Sequence, residues 1–162
     1  MDNGTLFMFY RGKKWIKKPF VYDAIQQVTV DNQYIQNAQI SLLGQSAFIL
    51  TQMTRTIISN ATLADITATR RFLFKLKNSR GAEVYSSGGN NATQDMVLDN
   101  LIFGNGQFPV LMLPPIPFEP SGSIQFEIQD LGVATANPYT IYFGYKGWLL
   151  LPEADKPGQG WG

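Results

Sequence analysis

Ser123-Ile-Gln-Phe-Glu-Ile-Gln-Asp130 places Ile124, Phe126 and Ile128 at every second position, with Gln125, Glu127 and Gln129 between them. Side chains on a strand point alternately to opposite faces, so this spacing predicts a strand with three apolar groups in a core and three polar ones toward water. A second run follows at Tyr139–Tyr145, where Tyr139, Ile141, Phe143 and Tyr145 share a face and Thr140 and Tyr142 lie on the other. The eight residues between the runs suit a surface loop closing an antiparallel pair. Upstream, Pro109, Pro114, Pro115 and Pro117 lack the N–H that a ladder needs, so Phe108–Phe118 is expected to take an extended path without regular pairing.

The first half gives weaker signals of the same kind. Phe20–Tyr22, Val28 with Val30, and Ala38–Leu42 read as short strands. Ala47–Ile57 alternates with Phe48, Leu50 and Gln52 on one face and Ile49, Thr51 and Met53 on the other. Arg71–Ser86 is a hairpin: Phe72, Phe74 and Leu76 alternate with polar or outward residues, and Asn78-Ser-Arg-Gly81 supplies turn chemistry before Glu83-Val-Tyr85 returns. Ser86–Asn91 reads as a flexible loop, and Asp95–Asn100 as one helical turn. β-Branched residues and threonines argue against a helix over Leu63–Arg71. The expectation is an all-β chain: one antiparallel β-sandwich of about eight strands, jelly-roll-like, over residues 19–151. A basic N-terminal arm at 1–18 precedes it, and a Pro/Gly-rich tail at 152–162 follows.

Composition excludes several functions. The chain has 162 residues, enough for one domain with a sizeable core. It has no Cys and no His, which removes thiolate nucleophiles, zinc sites with sulfur or imidazole ligands, and Ser-His-Asp relays. The acidic residues are scattered singly, without the paired carboxylates of a glycan hydrolase. Asp95 and Asp99 could share a helical face, and Asn90–Asp95 is only a faint echo of a calcium loop. No catalytic residue, metal site or cofactor is therefore assigned. No apolar run is long enough to span a bilayer, and no secretory signal follows Met1, so folding in a cytoplasm is expected.

Only 15% of residues are charged, against about 25% in an average soluble domain, which suits a surface that meets a partner. Residues 1–20 carry Arg11, Lys13, Lys14, Lys17 and Lys18 against Asp2 alone, on an otherwise slightly acidic chain. Two readings of this stretch stand side by side: an edge strand protected by lysines, or an arm that grips an acidic neighbour with Trp15 buried there as its anchor. Trp161 in the tail is a further candidate anchor. Nucleic acid is a weak third partner, because no binding motif accompanies the charge.

Leu101-Ile-Phe-Gly-Asn-Gly-Gln-Phe-Pro109, then Leu113-Pro-Pro-Ile-Pro117, Ser121–Ile128 and Tyr139–Trp148 with its Tyr145-Lys-Gly147, resemble segments of structural proteins from tailed-bacteriophage virions. Pro19–Tyr22 and Ala47–Leu50 extend the likeness more loosely, to about residues 19–151. The resemblance implies a β-sandwich or jelly roll that coats or joins the capsid shell. The expected role is a decoration or cement subunit on the capsid exterior, assembled in the host cytoplasm. Its partners would be the major capsid protein and symmetric copies of itself, with a trimer favoured. The alternative is a tail, neck or fibre module binding host-surface glycan through exposed aromatics such as Tyr85 or Tyr142. Below both stands a virion-associated glycan hydrolase.

Overall fold

The computed structural model describes residues 6–85, 96–104, 108–132, 134 and 136–153. The Ser86–Asn91 loop, Asp95, Trp161 and the tail beyond Glu153 lie outside these residues. Among the described residues the chain forms ten strands and one helical turn: β1 (Leu6–Tyr10), β2 (Lys13–Val28), β3 (Tyr34–Ser41), β4 (Ala47–Ser59), β5 (Phe72–Lys77), β6 (Glu83–Tyr85), β7 (Val97–Leu98), α1 (Asp99–Ile102), β8 (Val110–Phe118), β9 (Ser123–Asp130) and β10 (Tyr139–Pro152). They make an antiparallel β-sandwich. One sheet has the order β1-β2-β10-β4-β8; the other is β3-β9-β5-β6, with β7 also on β5. The pairings nest: β2 with β10, β3 with β9, β4 with β8, and β5 with β6 at the apex.

Alternation places the core as the sequence predicts. Ile124, Phe126 and Ile128 of β9 and Tyr139, Ile141, Phe143 and Tyr145 of β10 are all buried. Phe143 reaches across to Phe72, Phe74 and Phe126 of the opposite sheet, with ring centroids 5.4 to 5.9 Å apart, and Phe103 beyond α1 closes the cluster. Such tilted and edge-on contacts suit the ring quadrupole and add to the burial itself.

Three expectations need correction. Residues 6–18 do not form an arm: β1 and β2 make a hairpin, and β2 runs unbroken through residue 18 because Trp15–Lys18 pair with Leu149–Pro152. β8 does pair with β4, at Phe118–Ile116 and again at Leu111–Val110, and the ladder is interrupted over Met112–Pro115, the stretch that contains Pro114 and Pro115. In β4 the alternation slips by one residue. A bulge at Leu50–Gln52, opposite Lys146–Gly147, turns Met53 to the core face with Phe48 and Leu50, and Gln52 outward.

Gly147 explains the bulge. A Cβ there would stand 1.9 Å from the Ile49 carbonyl oxygen, so the backbones meet where no side chain fits. Gly104 is equally enclosed: its Cβ would lie 2.0 Å from the Phe108 carbonyl oxygen. The opposite case is Tyr145, whose fully buried hydroxyl has no hydrogen-bond partner among the described residues. Burial alone pushes its pKa far above the ordinary phenol value. Two substitutions on one strand should therefore differ in their effect on stability. In chemical denaturation, Gly147→Ala should lower unfolding free energy by about 2 kcal/mol or more, through steric conflict with backbone. Tyr145→Phe should leave it unchanged or raise it by about 1 kcal/mol, since an unpaired buried hydroxyl is removed.

Candidate interaction surface

The β1–β2 hairpin carries the basic residues and is built by its turn. Arg11 and Gly12 have φ of 51° and 74°, and Tyr10 pairs with Lys13, so this is a two-residue turn with both central residues left-handed. Such a turn matches the twist of the flanking strands and fixes the register: Met8 opposite Trp15, Leu6 opposite Lys17.

That register decides what each candidate residue can do. Trp15 is 8% exposed and packs with Ala47, Ile49 and Leu150, flanked by Met8, Tyr10 and Trp148, while its indole N–H donates to the Tyr10 carbonyl oxygen at 3.0 Å. It is the centre of a small second core on the outer face of the β2-β10-β4 sheet, and so offers no exposed anchor to a neighbour. Arg11 pairs with Glu119 at 2.7 Å, and Arg80 holds the other oxygen of that carboxylate at 2.9 Å. Lys14 lies 3.6 Å from Glu153 and 3.9 Å from the centre of the Phe7 ring. Lys17 stands 3.8 Å over the Trp148 ring. Lys13 and Lys18 are exposed. Alternation further splits the strand lysines, with Lys13 and Lys17 on the side of Trp15 and Lys14 and Lys18 on the other. The hairpin gathers five cations, but they do not form one basic face, and three of them already have partners in the chain.

The carboxylates are likewise engaged in structure. Asp99 of α1 is fully buried against Arg55 of β4 and accepts from the Phe72 N–H, tying α1 to both sheets. Asp130 is fully buried and accepts from the Tyr139 hydroxyl and the Gly132 N–H. Burial, then the bond to Asp130, raises the Tyr139 pKa well above that of a free phenol. Glu127, expected to meet water, is instead 7% exposed, because Lys77 and Tyr34 from the neighbouring strands bond to its two oxygens. Burial pushes its carboxyl up, but those hydrogen bonds and the charges of Lys77 and Lys75 outweigh it and hold the pKa below the ordinary value. Burial, and then the bond to the same carboxylate, raises Tyr34 to about 12.

What the surface does present is apolar. Leu6, Phe7 and Phe9 of β1 are 54%, 46% and 76% exposed. On the outer face of the same sheet Ile25 and Tyr142 are direct cross-strand partners and both exposed, with Val21 further along β2. At the far edge Leu111 and Leu113 project beside Pro114 and Pro115. The unbroken run Leu6–Tyr10 is the sequence signal for the first of these patches, masked by the lysines that follow it. Two open depressions, one around Val21, Gln52 and Trp148 and one along Val110–Pro117, hold no carboxylate. No family model matches the chain, and neither a curated protein nor a solved structure matches it.

The Glu127 environment sets an acid dependence. A carboxyl with a depressed folded pKa contributes stability that is fully present above its unfolded value and lost as pH falls through the folded one. Glu119 and Asp65 are depressed as well, Glu119 mainly by its hydrogen bond from Arg11 and Asp65 by bonds from Thr67. The melting temperature should stay flat from neutral pH to about 5 and fall below about 4, near the unfolded carboxyl values. Glu127→Gln should cost about 1–3 kcal/mol at neutral pH and flatten the acid limb; a variant with an unchanged pH profile would contradict this.

Proposed function

We propose that this chain is a structural subunit of a tailed-phage virion, a decoration or cement protein that binds the major capsid protein and its own copies on the capsid exterior. The single observation that supports it best is the nesting of the strands. Counting from β2 and leaving out the two-residue β7, the eight strands fall in the orders 1-8-3-6 and 2-7-4-5. That order supports the jelly-roll reading, an architecture of viral capsid and lectin domains. Architecture does not by itself carry function; the word virion comes from the resemblance. Two of the resembling segments contain the enclosed glycines, Gly104 and Gly147, so they are also segments whose backbone this packing needs.

The surface supports the same reading. Exposed apolar groups lie in several patches rather than in one cleft, Arg11 of the hairpin pairs with Glu119, and the buried carboxylates of Asp99 and Asp130 are held by Arg55 and Tyr139. A subunit held at many symmetry-related positions can use modest contacts, because its neighbours hold it in place. Tyr142 and the shallow ground beside Trp148 favour the second reading, a tail or fibre module stacking on host glycan.

Densitometry of purified virions separates the readings. A decoration subunit should appear in hundreds of copies, in fixed ratio to the major capsid protein. A count of about six or twelve, the multiplicity of a symmetric neck or tail ring, would move the protein there. A protein absent from virions would overturn the proposal, and glycan-array binding lost in Tyr142→Ala would favour the fibre module.

A further inference from the structure

Each sheet edge exposes N–H and C=O groups that can template another strand, and folded chains block such edges. Among the described residues the outer edges are β1 and β8 of one sheet, and β3 with β6 and β7 of the other. β8 has Pro114, Pro115 and Pro117, which have no N–H to give. β3 is broken by a bulge between Ile35 and Ala38, where Asn37 has φ 57°. β6 and β7 are only three and two residues long. β1 has none of these protections: Leu6-Phe-Met-Phe-Tyr10 contains no proline, no bulge and no charge.

The turn also fixes which groups of β1 are free. Residues flanking a two-residue turn exchange both hydrogen bonds, and bonded pairs then alternate with unbonded ones. Tyr10, Met8 and Leu6 therefore spend their groups on Lys13, Trp15 and Lys17. The N–H and C=O groups of Phe7 and Phe9 point to the open edge.

We propose that β1 pairs with β1 of a second copy, antiparallel about a two-fold axis at Met8, joining the two five-stranded sheets into one. Phe7 then meets Phe9 of the other copy and exchanges both bonds with it, Phe9 meets Phe7, and the two Met8 residues face each other. The pattern is self-complementary, which a two-fold interface requires. A head-to-tail pairing of β1 on β8, the route to rings and filaments, is blocked by the β8 prolines. Aromatic side chains each bury about 150–250 Å², and Leu6, Phe7 and Phe9 are half to three-quarters exposed. Covering them in both copies removes at most roughly 800 Å², the size of a weak, reversible contact rather than an obligate interface. The hairpin cations do not forbid it. The two β2 strands would stand about 14 Å apart, beyond the ~8 Å screening length of physiological salt.

The inference rests on edge geometry and is independent of the protein's place in a virion. The chain has no cysteine, so Met8→Cys creates a single thiol. Facing residues of an unbonded antiparallel pair lie about 4.5 Å apart, within disulfide range. Mild oxidation should convert Met8→Cys to a covalent dimer, while Val21→Cys on the outer sheet face stays largely monomeric. Phe9→Pro removes an N–H that β2 does not use. It should weaken self-association in sedimentation velocity by about tenfold or more while leaving the circular dichroism spectrum unchanged. The unsubstituted dimer should tighten as salt rises from about 0.01 M to about 0.15 M, because repulsion between the hairpin cations reaches across the seam only at the lower ionic strength. If Phe9→Pro disturbs the fold, the comparison of Met8→Cys with Val21→Cys decides alone. A monomer at all attainable concentrations, a trimer, or equal cross-linking of the two cysteine variants overturns the proposal.

Discussion

β10 must be hydrogen-bonded along both of its edges, and most of the molecule follows from that requirement. A buried backbone N–H or C=O left without a partner costs as much as a lost hydrogen bond. β10 runs from Tyr139 to Pro152 in the middle of its sheet, paired with β2 along its whole length and with β4 from Tyr139 to Leu150. Both neighbours must be nearly as long as it is. This is what draws Trp15–Lys18 into the sheet: Leu149–Pro152 would otherwise lack a partner on that side. It also explains the bulge. β4 carries one more residue than β10 over the shared stretch, and Gly147 is where the extra residue can be absorbed.

The same strand holds the two sheets together. Phe143 and Tyr145 stand on its inner face, and Phe143 touches Phe72, Phe74 and Phe126 of the opposite sheet as well as Phe103. The buried Arg55–Asp99 and Tyr139–Asp130 pairs add charged and polar ties in which little is left exposed. Removing one partner of such a pair leaves an uncompensated buried group, so these residues specify the packing more than they add to its strength. Groups committed in this way are not free for acid–base work on a substrate.

Much of this was legible in the sequence where a strand's own residues decide its faces. β9, β10 and the β5–β6 hairpin follow from alternation and turn chemistry alone. What could not be read depends on partners far away in the chain. The slip in β4 needs the close approach of Gly147, and Glu127 is covered only because Lys77 and Tyr34 lie on flanking strands. The turn at Arg11–Gly12 is a different case. Two left-handed residues usually ask for Asn-Gly or Asp-Gly, and an arginine there, followed by lysines, reads as a basic stretch rather than as a hairpin. Trp15 was thus legible as buried, but not as buried within its own chain.

The surface left by this arrangement is apolar in patches, and its open edge follows from where β1 is added. That edge exists only if the first hairpin belongs to the sheet. Amide hydrogen exchange measures this directly, because amides in a continuous ladder open together and a free segment exchanges at once. The hydrogen-bonded amides of Trp15–Lys18 should be protected to the same degree as those of Phe20–Val28. Free exchange at Lys13–Lys18, with protection beginning only at Phe20, would contradict the hairpin and everything built on it.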